Sequence, residues 1–504
     1  MKIYFINSKA KNCGVYQYGL RLWDSIKNSK YNISYYEINT KEEFYSLNIS
    51  DADIIFLNWI EGGESGPFGW FDYDICNFIK QYNIPTVSIQ HTDQQHTAHI
   101  DYFLSQNPKK SGMPRPLYDF NRTKINNNKI NIGSFGLAFN NKNFNKVVQL
   151  INNEFDECEI NIHITKAFYS NNNMDFDFII SNLKNISLKP NNNLNITTNF
   201  ISNEELLFFI DKNDLIVLMY DDSTETSSVI DYVISAETPV AITNVPAFEH
   251  IYDPNIDLNN NSLSSIIKYT NNKNLIKNYK NIWSKNNLKI FIDNALLNIF
   301  KKQSYSQVYQ DLFVYELIGK NGFFLDLGAG WDNSCINSNT LCLEKYHNWN
   351  GINIDANTAN LNLRKSESIR SESICCKIPD TSIESILNKV NAPQVIDYIS
   401  IDIDPSSIIA LENFPFHKYS FKILTFEHDS YIGGNMQQNR ACEILSHYGY
   451  VRLCENICVP ETLGINKYFE DWWINSMYFT DNFISKNTFK NCSGEHILSN
   501  LNKE

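Results

Sequence analysis

The sequence predicts an α/β protein of three consecutive units, each a parallel sheet with helices on its faces. Three observations point there. Short apolar runs alternate with amphipathic segments along nearly the whole chain, the pattern of strands joined by crossover helices. The 504 residues exceed one compact core and suit about three domains at the usual ~150 residues each. In the run FFLDLGAG, Phe323 to Gly330, a strand climbs to Asp326, and two glycines spaced by one residue turn the backbone tightly toward a ligand.

Composition narrows the partners. Hydrophobic residues make up 43% and aromatics 13%, ample for globular cores, while a net charge of −13 argues against a nucleic-acid polymer, whose phosphates are held by excess Lys and Arg. Small anions stay open, because a helix N-terminus and one lysine suffice locally. No apolar run reaches the ~20 residues of a membrane span, and MKIYFINSKAKN passes from a short strand straight into a polar loop; a soluble, cytoplasmic protein is expected. The 11 cysteines are odd in number and lack a CxxC pair, which suggests reduced thiols rather than a disulfide framework or a zinc site. Asn-rich patches at 126–128, 171–173, 191–193 and 259–261 read as loop filler between patterned segments.

Residues 1–125 form the first expected unit. KIYFI, ISYYEI, DIIFLNW and TVSIQH read as strands, with Tyr16–Ile26 and Trp70–Tyr82 as helices between them. Ligands of such sheets gather at the carboxyl ends of the strands. Gly14 follows the first strand and lets backbone amides approach a bound group; His91 follows the fourth.

The second unit, 126–302, has strands NIGSFG, EINIHIT, LNITTNF, LIVLMY and PVAIT and helices at Asn145–Asn153, Met174–Leu183, Asn203–Asp211 and Ser227–Ala236. In the last helix Val229, Ile230, Val233 and Ile234 make an apolar stripe, and Thr226, Ser227 and Ser228 offer N-caps. A helix starting between two buried strands offers amides and a positive dipole end to a diphosphate, with Lys142 as the added cation. From Asn261 to Phe300 the chain is Lys-rich and helical in pattern, a packing segment.

Two such units in succession resemble glycosyltransferases of the GT-B fold, in particular the large retaining family. GVYQYGLRL is similar to that family's glycine loop, His91 to its sugar-facing histidine, Lys142 to its phosphate lysine, and SSVIDYVISAETPVA to its donor-binding helix and strand. The resemblance implies a nucleotide-sugar donor held by Gly14, His91, Lys142, Ser227 and Ser228, with Asp231 at the nucleoside ribose. The family's two glutamates eight positions apart are missing, Glu225 and Asp231 being the nearest acids, and Ala138, Phe139 and Asn140 stand where its phosphate arginine is usual.

The third unit, 303–504, runs from YSQVYQDLFVYELIG through FFLDLGAG, SNTLCLEKYHNWNGINID, SESICCKI, YISIDID and FKILTFEHD to an antiparallel-looking GYVRLCENI and WWINSMYF. Asp355, at the end of the strand NGINID, is placed to accept both ribose hydroxyls of a nucleoside. Asp402 and Asp404 end one strand, and Glu427, His428 and Asp429 the next; acids that close repel unless a cation or proton sits between them. The expected arrangement is a divalent ion, Mg2+, held by Asp402, Glu427 and His428, with His428 or Asp404 taking a proton; direct ligand binding without metal is the alternative. Trp472 and Trp473 are expected in the core or as an aromatic wall for a sugar.

These segments, in this order, resemble FkbM-type methyltransferases, enzymes of the class I, Rossmann-like fold that use S-adenosyl-L-methionine (SAM), many on sugars. The resemblance implies that Asp326, Gly328 and Gly330 line the methionine end of SAM, Asp355 binds its ribose, and Gln310 and Asp311 close over it. Trp331 stands where an acid is usual and Pro405 where a glycine is usual. The whole chain is then expected to add a sugar from a nucleotide donor and to O-methylate a glycan; in the alternative the first two units are an inactive glycan- or partner-binding module.

Overall fold

The computed structural model describes residues 1–9, 13–60, 69–91, 100–123, 129–166, 173–221, 226–330, 337–403, 406–460 and 467–502. The chain divides into two compact units, Met1–Leu296 and Leu297–Glu504. Every sheet in both is built on parallel strands.

In the first unit, β1 (Lys2–Ser8), β2 (Asn32–Ile38), β3 (Ile54–Leu57), β4 (Thr86–Gln90) and β5 (Tyr102–Ser105) form a parallel sheet in the order β2-β1-β3-β4-β5. The chain reverses its direction of travel between β1 and β3, the switch point of a doubly wound sheet. The sequence pattern reveals four of these strands. β5 escapes it because YFLS is short, half-buried and paired on one edge only.

A second parallel sheet follows from β6 (Ile130–Leu137), β7 (Cys158–Thr165), β8 (Asn193–Thr197), β9 (Leu215–Leu218) and β10 (Val240–Ile242), in the order β10-β9-β6-β7-β8. Its switch point lies between β6 and β9. Helix Asn203–Asp211 starts at a full capping box, Ser202 with Glu205. The helix expected at Ser227–Ala236 is shorter, Val229–Ser235. The polar segment after β10 breaks into helices Leu263–Lys273, Leu275–Ile282 and Lys285–Lys301; Asn274, at φ 50°, makes the first break.

The second unit holds one eight-stranded sheet: β11 (Phe323–Leu327), β12 (Asn350–Asp355), β13 (Glu372–Cys375), β14 (Val395–Ile401), β15 (Ser420–Glu427), β16 (Tyr450–Cys458), β17 (Glu470–Asn475) and β18 (Phe489–Ser493). Their order is β13-β12-β11-β14-β15-β17-β16-β18, and among the described residues β17 alone runs antiparallel to both its neighbours. The switch point lies between β11 and β14. β18, FKNCS, is an edge strand with no apolar alternation to announce it. Trp472 and Trp473 are fully buried, Trp472 packing on Phe313 at 4.4 Å between ring centroids, so both are core residues. Among the described residues no helix is long and apolar enough to cross a membrane.

Helix Gly14–Ile26 crosses β1 and β3 through Gly19, where a Cβ would stand 2.5 Å from Asn58 Nδ2 and 2.6 Å from Asn7 Oδ1. Those two amides bond each other at 2.9 Å and cannot retreat without losing buried hydrogen bonds. Gly→Ala inside a helix ordinarily stabilises by up to about 1 kcal/mol. Here Gly19→Ala is expected to destabilise by about 1–3 kcal/mol, read as a lower melting temperature; an unchanged or raised one contradicts this packing.

Candidate functional site

The carboxyl ends of the first unit's two sheets enclose a cavity of about 680 Å³, within the size range of ligand sites. From the first sheet come Cys13, Gly14 and Val15 after β1, Ile60 after β3, His91 after β4 and Gln106 after β5. From the second come Phe139 to Lys142 after β6, and Tyr220 with Thr226, Ser227 and Ser228 after β9. Of the residues expected at a nucleotide sugar, Gly14, His91, Lys142, Ser227 and Ser228 thus line one cavity, although Gly14 and Ser228 stand 214 positions apart in sequence.

Lys142 is the cation among the described lining residues, which include no carboxylate. Its ammonium lies over the rings of Phe139 and Tyr220, 5.6 and 5.4 Å from their centroids. Burial lowers its pKa to about 8. Gly136, at φ 146°, makes room for it: a Cβ there would meet Nζ at 2.7 Å.

His91 is held by an amide network. Asn58 Nδ2 donates to Asn7 Oδ1 and to the Val15 carbonyl, so its Oδ1 is the acceptor, and His91 Nε2 donates to it at 2.8 Å. Burial, with the Arg115 and Arg21 charges, pushes the imidazole down to about 3. A neutral ring protonated at Nε2 follows.

Asp231 is not on the cavity wall. Expected at a ribose, it is fully buried, and its carboxylate is held by two arginines: Arg115 Nε at 2.7 Å to Oδ1 and Nη2 at 2.8 Å to Oδ2, and Arg21 Nη2 at 2.8 Å to Oδ2. Arg21 also bonds the Pro116 carbonyl and Tyr118 Oη. Arg115 reaches the cavity lining, bonding Ser228 Oγ at 3.3 Å and the Gln106 carbonyl and Oε1 at 3.1 Å each; Gln106 Nε2 in turn donates to the His91 carbonyl. Neither Arg21 nor Arg115 stands out in the sequence.

In the second unit the acids gather at the switch point. Asp326 is buried under it, accepting from Thr340 Oγ1 at 2.7 Å; burial raises it to about 6, with the Asp402 charge adding to the rise. Gly328, at φ 96°, lies so close to the Asp402 carbonyl that a Cβ would stand 1.7 Å from it. Asp355 accepts from Gly330 N at 2.9 Å and Asn357 N at 2.6 Å, and a Cβ on Gly330 would meet it at 2.4 Å. Both glycines are required by close approach.

Gln310 donates to Glu470 at 2.9 Å, as does Trp472 Nε1. Glu470, which the sequence pattern does not mark, is buried opposite Glu427 in the β15–β17 ladder. Burial pushes it up to about 8, and the Asp402 charge adds to the rise. Asp402 itself is exposed.

The expected metal set does not assemble among the described residues, where no group of three His, Cys, Asp or Glu is placed to hold an ion. The cause is the orientation of His428: the ring is buried, Nδ1 accepts from Ser430 N at 3.2 Å, and Nε2 faces Asp471 Oδ1 at 3.4 Å. Asp404, Glu225, Trp331 and Pro405 lie outside the described residues.

No protein-family model matches the chain, and no curated protein is similar to it. Among solved structures it is similar to an alpha-glucosyltransferase in complex with UDP and a 13-mer DNA containing an HMU base, at 14% identity over 60% of this chain and 99% of that one, TM-score 0.40. It is likewise similar to HepE of Anabaena in complex with UDP-glucose, at 11% identity over 60% and 100%, TM-score 0.42.

A protonated Glu470 fixes the sign of one pH effect. Between the ordinary glutamate value and about 8 the unfolded chain is ionised at this position while the folded one keeps its proton. Stability from this group is full below that window and falls as pH rises through it, by about 1.4 kcal/mol per pH unit. Glu470→Gln is expected to flatten the fall in melting temperature between pH 6.5 and 8; an unchanged slope overturns the assignment.

Proposed function

We propose that this chain is a bifunctional glycan-modifying transferase: residues 1–302 form a GT-B-type pair of lobes that uses a nucleotide-sugar donor, and residues 303–504 a SAM-dependent O-methyltransferase. The observation that carries the first half is the interlobe cavity, with Lys142 as a desolvated cation and no carboxylate among its described lining residues. An anionic group fits that wall, and a cavity of about 680 Å³ accommodates a nucleoside diphosphate with a sugar. Ser227, Ser228 and Gly14 supply hydroxyl and backbone donors around it, and neutral His91 supplies an uncharged polar edge on the first lobe's side.

The second half has the opposite electrostatic character. Asp326, Asp402 and Glu470 converge where the sheet order reverses, the place at which doubly wound sheets bind nucleosides. The proton affinities of Asp326 and Glu470 are raised, which a ligand carrying positive charge would relieve. SAM, whose sulfonium and ammonium are cationic, suits such a crevice and supplies an activated methyl group when bound. In this reading Gly328 and Gly330 let its methionine end approach the backbone, Asp355 takes the ribose hydroxyls, Gln310 and Glu470 form the far wall, and Asp402 accepts the proton of the acceptor hydroxyl. The strand order and the single antiparallel strand β17 also support it.

A second reading keeps the methyltransferase and makes the first unit a binding module without transferase activity. The engagement of Asp231 by two arginines, which leaves it unable to serve a ribose, favours it. Titration calorimetry separates the two: micromolar affinity for one of UDP, GDP, dTDP or ADP supports the enzyme, and glycan binding without nucleotide affinity supports the module.

Two outcomes are expected of the enzyme. Lys142→Met weakens nucleoside diphosphate binding at least tenfold at pH 7. Because the ammonium is present below about 8, wild-type affinity falls with rising pH above that value, approaching tenfold per unit, and the Met variant loses this dependence. In the second unit, Asp355→Ala weakens S-adenosylhomocysteine binding at least tenfold and leaves nucleotide binding intact; loss of neither contradicts the site.

A further inference from the structure

Arg115 touches both lobes of the first unit at once. It lies on the segment after β5 and is completely buried, yet it bonds Asp231 and Ser228 Oγ on the second lobe and both Gln106 oxygens on the first. Gln106 carries the connection to the His91 carbonyl at 2.8 Å. Arg21, from helix Gly14–Ile26, shares the same carboxylate. Ser228, His91 and Gln106 all line the cavity. The orientation of a cavity hydroxyl is therefore tied, through one guanidinium, to a carboxylate that does not reach the cavity.

We propose that Arg115, oriented by Asp231, is a positioning residue that aims Ser228 Oγ at the phosphate groups of the bound nucleoside diphosphate and links that end of the cavity to the His91 end. The inference rests on the donor-site reading above and adds the residues that set its geometry. Asp231 acts here through Arg115, not by contact with the ligand.

Charge and position make opposite predictions for one substitution. Asp231→Asn removes a negative charge close to an anion site. If the cluster acted only through its net charge, anions would bind more tightly; if Asp231 orients Arg115 and Ser228, they bind more weakly. The probes are inorganic pyrophosphate, which has no base or sugar to compensate, and the nucleoside diphosphate that binds wild type best, measured by calorimetry on the full chain with melting curves to verify folding. Asp231→Asn is expected to weaken pyrophosphate at least fivefold. Ser228→Ala, which leaves the arginines in place, should weaken it by a similar factor, and the double variant should be no worse than the weaker single one, because both act on one hydroxyl. Should Asp231→Asn fail to fold, Arg115→Lys, which keeps the charge but not the fork, takes its place in the same cycle. Equal or tighter binding by the folded Asp231→Asn or Arg115→Lys protein, or multiplied losses in the double variant, overturns the proposal. Absence of binding to wild type by every nucleoside diphosphate overturns instead the donor-site reading on which it rests.

Discussion

The carboxylate of Asp231, fully buried between the guanidinium groups of Arg21 and Arg115, is the constraint on which the first unit depends. An isolated charge in such a place costs several kcal/mol, and only close, well-aligned partners offset it. The carboxylate and its two partners come from three parts of the chain: Arg21 from a helix on the first sheet, Arg115 from the segment after its last strand, and Asp231 from the helix that follows β9. Removing Asp231 leaves two buried guanidinium groups without their carboxylate, and removing both arginines leaves the carboxylate alone, so the ion pairs fix where the two sheets stand with respect to each other within this unit, and with that the shape of the cavity between their carboxyl ends. Tyr18, edge-on to His91 and with both guanidinium groups about 5–6 Å from its ring, fills the space between the cluster and the cavity.

The second unit is organised by close approach rather than by ion pairing. Gly328 brings the turn after β11 against the Asp402 carbonyl, and Gly330 brings it against Asp355. The Asp402 charge acts on the buried Asp326, and Glu470 joins from β17. The two crevices have opposite character, one with a desolvated ammonium and one crowded with carboxylates. A net charge of −13 averages over both and predicts neither.

Much of the architecture is legible in the apolar runs, because a strand buried on both faces must be apolar throughout. The strands that escape are β5 and β18, short edge elements whose residues need satisfy only one neighbour. The cavity residues Gly14, His91 and Lys142 are likewise legible, since each directly follows a strand and strand ends are where such sheets collect ligands. His428 follows a strand by the same rule, yet its ring turns to Asp471, a partner 43 positions later that only the β15–β17 pairing brings near.

The sequence by itself determined the periodicities, the glycine turns and the order in which helices and strands follow one another, because these are set by interactions among residues a few positions apart. The tertiary structure alone decided which charges are paired. Arg21 meets Asp231 across 210 positions, Arg115 meets it across 116, and Gln310 meets Glu470 across 160. Nothing in a local pattern distinguishes an arginine bound for solvent from one bound for a buried carboxylate; the cost of burying either charge alone makes the distinction, and that cost exists only once the sheets have packed.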